Sequence, residues 1–311
     1  MRVAICGGGL QGVELLWLAQ QAGWETVLVD KHPAPPALHL ATRFLHRDLT
    51  TLSLESAGKE GNDPFTLELA TVDLVIPALE NAEALAVLYQ WCAARNLPCA
   101  FDPAAYAVSS SKLRSRELFL AVGTPIPQPC VTPTFPLIAK PSGGSGSRGV
   151  CLLHTKDALR THFPAGLDTP DMLFEAYCPG PSYSVEVCGT PGAYTAFQVT
   201  ELHMDAGFDC KRVVAPPMQG AVPEAEIIAE ALRLAEALRL HGLMDLEVIV
   251  TPDGVRVLEI DARFPSQTPT AVSLSTGVNL AEQLAACFLP HPPASIHTCH
   301  DKASAHAVPL R

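Results

Sequence analysis

Leu137-Ile138-Ala139-Lys140-Pro141-Ser142-Gly143-Gly144-Ser145-Gly146-Ser147-Arg148-Gly149-Val150-Cys151-Leu152-Leu153 is the stretch on which the fold turns. Its ends are short apolar runs bounded by Pro, Gly and Ser, the pattern of two strands joined by a mobile loop. Lys140 closes the first strand immediately before the loop. An ammonium group there can clamp polyphosphate oxygens while the loop's amides, Ser142 to Ser145 first among them, close over them. A bare Gly/Ser run is otherwise a linker. This one is short, lies between strands and follows a lysine, which favours a phosphate site.

Toward the C-terminus, Asp245–Val250 and Val255–Asp261 read as a hairpin across Pro252-Asp253-Gly254. Glu259 and Asp261 share a face at period 2, and Glu247 can face them from the neighbouring strand. Carboxylates crowded in this way repel one another, and a hard divalent cation that also bridges nucleotide phosphates relieves the repulsion. Mg²⁺ is the expected ion, with Glu247, Glu259 and Asp261 as its ligands. Arg263 can neutralise charge that develops on a transferring phosphoryl group or an acyl phosphate. The apolar Leu246, Val248, Val257, Leu258 and Ile260 around the acids favour a buried site over a solvated hairpin edge.

At the N-terminus, Val3-Ala4-Ile5-Cys6 leads into Gly7-Gly8-Gly9-Leu10-Gln11-Gly12, then a helical apolar period, then the strand Thr26 to Asp30. Val72 to Pro77 supplies another parallel-type strand, a helix follows over about 81–95, and Leu97 to Phe101 is expected to close the sheet. Gly7-x-Gly9-x-x-Gly12 with Asp30 at the end of the next strand matches a dinucleotide fingerprint, so an NAD-dependent oxidoreductase is one reading. Any tight strand-to-helix turn also needs glycines, and many enzymes without redox chemistry share the unit.

The chain has 311 residues, 48% of them apolar and 17% charged, enough to bury a large core and to form about two domains. The expected class is α/β: a Rossmann-like domain over 1–103, then an α+β region over 104–290 with lobes of about 104–172 and 173–290. A Pro- and His-rich tail over 291–311 is expected to lie on the surface. A net charge of −11 repels phosphate backbones, which argues against nucleic acid as a partner. Ten cysteines without a CxxC pair or a zinc spacing read as reduced thiols. No signal-peptide pattern and no long uncharged apolar run are visible, so a cytoplasmic protein without membrane contact is expected.

Lys112 before Leu113-Arg114-Ser115-Arg116, Lys140 with its loop, Phe174-Glu175-Ala176-Tyr177-Cys178, and Glu247, Glu259, Asp261 and Arg263 together resemble the ATP-grasp ligases, over nearly the whole chain. Within them, Phe101-Asp102-Pro103-Ala104-Ala105-Tyr106, the stretch from His203 to Cys210 and above all Glu259 to Thr270 resemble the 3-methylornithine:lysine ligases of pyrrolysine biosynthesis, more than the D-alanine:D-alanine ligases. Asp261 stands where most ATP-grasp enzymes carry Asn.

The resemblance implies a pre-ATP-grasp domain followed by two lobes that sandwich ATP, with 3-methyl-D-ornithine or D-ornithine, L-lysine and ATP as small-molecule substrates and a homodimer as the assembly. It implies that Lys112 and Lys140 hold phosphates, that the hinge Glu175 to Cys178, chiefly its Ala176 to Cys178 backbone, presents groups to adenine, and that Arg263 steadies the acyl phosphate. Ser266 would lie against the substrate, with Glu186 and Asp245 near the ammonium groups of the diamino acid. The N-terminal glycine loop is then expected to be a wall of the cleft. Leu10 and Gln11 would touch lysine, Glu80 would receive its α-ammonium, and Asp30 and Asp48 would line a secondary nucleotide pocket.

Overall fold

The computed structural model describes residues 1–53, 63–218, 222–290 and, as backbone, 306–309. It opens with β1 (Arg2–Cys6), α1 (Leu10–Gln21), β2 (Glu25–Asp30), β3 (Arg43–His46), α2 (Pro64–Leu69), β4 (Leu74–Pro77) and α3 (Ala82–Ala93). The four strands form one parallel sheet in the order β3-β2-β1-β4. β1 and β4 are apolar at nearly every position because helices cover both faces. Gly12 is required where α1 leaves the loop, since a Cβ there would lie 2.2 Å from the Gly7 carbonyl oxygen.

The segment expected to close this sheet does so through one bridge, Val75 to Cys99, and not as a full strand. Pro98 has no N–H to donate, so its carbonyl takes the Val75 amide while the Ala100 amide returns to Val75. The edge strand β3, only half-buried, carries too weak an alternation to be read from the sequence.

Next come α4 (Pro103–Ser109), α5 (Lys112–Val122), β5 (Leu137–Pro141), β6 (Cys151–Leu153), α6 (Lys156–His162) and β7 (Met172–Ala176). Asp102 and Ser111 cap α4 and α5 through their side chains, which accounts for two helix starts so close together. β5 lies between β6 and β7 in a small antiparallel sheet. The remaining elements are β8 (Ser182–Thr190), β9 (Ala193–Ala196), β10 (Thr200–Met204), β11 (Cys210–Ala215), α7 (Glu224–Leu238), β12 (Gly242–Thr251), β13 (Gly254–Asp261), α8 (Pro269–Thr276), α9 (Leu280–Phe288) and β14 (His306–Pro309). They build a large antiparallel sheet in the order β13-β12-β8-β10-β11-β14, with β9 paired to β8. α7 covers one face through Ile227, Ala231, Leu234 and Ala235, spaced by a helical turn.

The expected lobe 104–172 divides in the structure. Ala105 of α4 and Phe119 of α5 belong to the core of the large sheet, and β7, expected at the lobe junction, pairs along its length with β5. The tail 291–305 lies outside the described residues, and 306–309 adds an edge strand to β11. Among the described residues no helix is long and apolar enough to cross a membrane.

The last helices return to the first one. The Gln11 side chain donates to the Phe264 carbonyl, Thr270 donates to Glu14, and the Asn279 amide donates to the Leu18 carbonyl at 2.8 Å. Leu15 and Leu18 share one core with Leu280, Ala281 and Leu284. The carboxyl ends of β1 and β4 are thereby held against β12 and β13, and a cavity lies between them.

Candidate active site

The cavity has a volume of about 670 Å³ and is lined from all three sheets. Its floor is the β12/β13 hairpin. Register pairs Glu247 with Glu259 and Asp245 with Asp261, while β8 extends each row with Ser184 and Glu186. Two acidic rows therefore cross one sheet face. The half-buried Glu247 and Asp261 have their carboxyls pushed up to about 7, chiefly by loss of water, with Glu259's charge adding to both. Burial and the neighbouring Asp261 raise Asp245 well above the usual carboxylate range.

Three cations answer these acids. Lys112, at the start of α5, donates to Glu259 Oε1 at 2.8 Å and to the Gly144 carbonyl at 2.9 Å. Lys140 on β5 pairs with Glu175 on β7 at 2.5 Å, both almost buried. Arg263 reaches Asp261 at 2.5 Å and Glu80 at 2.8 Å. Glu80 also accepts from Ser145 of the glycine loop, and Ser147 donates to the Phe208 carbonyl at 2.6 Å. The loop is thus fastened at one point to the N-terminal sheet and at another to the β10–β11 turn. Gly144 and Gly146 take positive φ, 91° and 62°, which a side chain would oppose.

The acids fit a divalent cation. Asp261 Oδ1 is buried without a hydrogen-bond partner, and the row of Glu247 and Glu259 is more negative than Lys112 alone can balance. Among the described residues no three His, Cys, Asp or Glu side chains form a preassembled metal cage. Mg²⁺ matches that arrangement, because it keeps waters and takes one or two carboxylates together with phosphate oxygens.

Most of the expected site residues meet in this cavity: Lys112, Lys140, Gly143, Gly144, Ser145, Glu175 to Cys178, the acids Asp245, Glu247, Glu259 and Asp261, Arg263, Ser266, Glu80, Leu10, Gln11 and Asp30. Gln11 has its amide engaged by Phe264, and Asp30 accepts from the Gly8 and His32 amides. Three expected residues lie elsewhere. Ser142 is buried under the loop, where its carbonyl accepts from the Lys112 amide and its hydroxyl meets Ser111. Asp48 caps the turn Leu49–Thr51, and its acidity rises because Thr50 donates to it. Glu186 lies behind the wall, fully buried. Its neighbours in sequence alternate as in any strand, so nothing local shows that the cavity stops short of it.

Sequence reasoning missed Tyr106, whose hydroxyl donates to the Glu80 carbonyl at 3.1 Å, and the turn residues Phe208 and Asp209, which reach the cavity from β10–β11. Ile249 could have been found, since it follows Glu247 by two on the same strand.

Burial pushes the Glu186 carboxyl up to about 7, with Glu14's charge adding to it. The folded chain therefore holds a proton that the unfolded chain releases above its ordinary value of 4.5. Stability from this group is full below pH 4.5 and is lost as pH rises toward 7, by about 3 kcal/mol. Glu186→Gln is expected to match the wild type near pH 4.5 and to exceed it in urea unfolding at pH 8. Parallel stability curves for the two proteins would contradict this.

Residues 109–267 match the ATP-grasp domain family. The chain is similar to the 3-methyl-D-ornithine–L-lysine ligase of Methanosarcina mazei, at 34% identity over 92% of this chain and 71% of that protein. It is also similar to the same ligase of Methanosarcina barkeri, at 37% identity over 92% and 73%. Among solved structures, an ADP complex of N5-carboxyaminoimidazole ribonucleotide synthetase superposes with a TM-score of 0.75, covering 95% of this chain and 79% of that one at 17% identity. An L-amino acid ligase from Bacillus licheniformis gives 0.68, covering 91% and 73% at 19% identity.

Proposed function

Because this chain belongs to the 3-methyl-D-ornithine–L-lysine ligase family of ATP-grasp enzymes, we propose that it joins the carboxylate of 3-methyl-D-ornithine to the ε-amine of L-lysine with ATP and Mg²⁺. The observation that supports this most is the meeting, in one cavity, of a lysine-flanked glycine loop with the Glu247, Glu259, Asp261 and Arg263 cluster. The ligase reading replaces the oxidoreductase one. The N-terminal glycine loop then serves as a wall of the ligation site, within a domain organisation of 1–103, 104–290 and the tail 291–311.

In this reading the donor carboxylate attacks the γ-phosphate of ATP, and the amine of lysine then displaces phosphate from the resulting acyl phosphate. Lys112 and Lys140 hold phosphate oxygens while the loop amides close over them. The backbone of Ala176 to Cys178 faces adenine. Glu247, Glu259 and Asp261 hold Mg²⁺, which supplies positive charge against the polyphosphate. Arg263 offsets charge on the acyl phosphate, and its two carboxylate partners fix its orientation. Asp245, with Glu186 buried behind it, gives up its proton as the donor's ammonium groups bind beside it, and Ser266 lies against the donor. Leu10 and Gln11 line the lysine side, and Asp30 offers a carboxylate at the neighbouring loop. The chain works in the cytoplasm as a homodimer, which light scattering tests.

Purified protein given ATP, Mg²⁺, 3-methyl-D-ornithine and L-lysine should release ADP and form the amide, read by mass. Excess chelator should stop both. ATP-independent product, or lysine-independent ADP release at the full rate, would overturn the reading.

Glu80 is assigned to the α-ammonium of lysine. Glu80→Gln removes the charge yet keeps an acceptor for Ser145, so the loop stays fastened. The KM for lysine is expected to rise about 10- to 100-fold, the loss of one charged hydrogen bond, with the KM for ATP unchanged. An unchanged lysine KM in steady-state assays would remove Glu80 from the amine site.

A further inference from the structure

Two thiols outside the cavity lie within van der Waals contact. Cys188 on β8 is buried and Cys287 in the last turn of α9 is half-buried, with their sulfur atoms 3.5 Å apart. Cys287 Sγ is also 3.5 Å from the Gln283 carbonyl, to which it donates. The Cys188 thiol can then donate to Cys287 and stabilise its thiolate, which holds the Cys287 thiol below the ordinary cysteine value, with the Gly189 amide helping. Cys188, by contrast, is raised by its hydrogen bond to Cys287 and by burial. The half-exposed Cys287 sulfur is the one a reagent reaches first, and the buried Cys188 sulfur behind it is placed to resolve it.

The geometry points to a reversible disulfide between Cys188 and Cys287, formed by hydrogen peroxide, that ties α9 to β8. The Cys287 thiolate attacks a peroxide oxygen, the O–O bond breaks, and a sulfenic acid and hydroxide result. Cys188 then attacks the sulfenic sulfur, loses its proton, and water leaves as the S–S bond forms. In sum two thiols and one peroxide give one disulfide and two waters, with two electrons passing to the peroxide. The sulfurs need to close by only about 1.5 Å to reach bonding distance.

The consequence is mechanical. α9 is capped by Asn279, which holds α1, and β8 lies inside the large sheet between β12 and β10. A covalent tie between them pins the junction of the N-terminal sheet to the large sheet and constrains the unfolded chain over a long loop. Neither sulfur lines the cavity, so turnover is expected to persist.

The test treats the folded wild-type protein with one equivalent of hydrogen peroxide, blocks free thiols with iodoacetamide, and maps peptides without reduction. A Cys188–Cys287 peptide is expected before any other cross-link, with a raised unfolding midpoint that dithiothreitol reverses. Cys287→Ser should lack both effects and keep wild-type ligation. Sulfenic or sulfinic acid on Cys287 with Cys188 still alkylated would overturn the proposal. So would a first cross-link between another pair, such as Cys92 and Cys99, or a Cys188–Cys287 bond that leaves the midpoint unchanged.

Discussion

Glu259→Gln is expected to lower kcat for ligation by about a thousandfold, the upper range for removing one placed charge from a transition-state clamp. Glu259 sits opposite Glu247 in the register and pairs with Lys112, so it belongs to both the metal-facing and the phosphate-facing sides of the cavity. Gln preserves shape and removes the charge. Lys112 retains the Gly144 carbonyl and the Glu259 side chain is 30% exposed, so the fold should hold. ADP release and product mass against a thermal melt check the two halves of this statement. Activity within tenfold of the wild type would sink the assignment of the acidic row. Lys140 is a less clean target for the same question, because Lys140→Ala strands the buried Glu175 carboxylate and costs about 3 to 5 kcal/mol in its own right.

Arg263→Met should lose about 100- to 1,000-fold in kcat and, unlike Glu259→Gln, should also lose stability. The guanidinium is the shared partner of Asp261 and Glu80, and its side chain is only 12% exposed. Its removal leaves the half-buried Asp261 and the more exposed Glu80 carboxylates facing each other. Adding Glu80→Gln to Arg263→Met removes that repulsion, so the melting temperature should recover while kcat does not. Recovery of both would mean that Arg263 only positions Glu80. Failure to recover either would mean that Asp261 alone governs the site.

Much of this was legible in the sequence where chemistry repeats at the period of the backbone. Glu259 and Asp261 at i and i+2 had to share a face, but the Pro-Asp-Gly turn by itself sets Glu247 opposite Leu258, and it is a bulge next to Glu247 that brings it opposite Glu259, a shift no turn residue announces. The Lys140 loop was legible for a similar reason, since apolar runs on both sides left it no conformation other than a connection. Glu186 obeys the same period, yet it lies one strand further in, and how deep a cavity reaches depends on packing from α1 and the 264–270 segment. Ser142 looked like part of the phosphate loop because serine and glycine are alike in pattern. Its carbonyl is taken by the Lys112 amide, a contact across 30 residues that no local signal announces. Asp48 failed for the opposite reason: an aspartate two residues before Thr50 is first a turn cap.

The return of the last helices onto α1 bears on how the chain is made. Gln11 and its acceptor Phe264 are 253 residues apart, and Leu18 and its donor Asn279 are 261 apart. At about 5 to 20 residues per second, the first helix leaves the ribosome tens of seconds before its cover exists. During that interval Leu15 and Leu18 have no Leu280 or Leu284 to meet, so the nascent N-terminal sheet carries an open apolar flank. The yield of this protein in a cell therefore depends on the speed of translation and on holdases that shield the flank, as much as on the stability of the finished molecule.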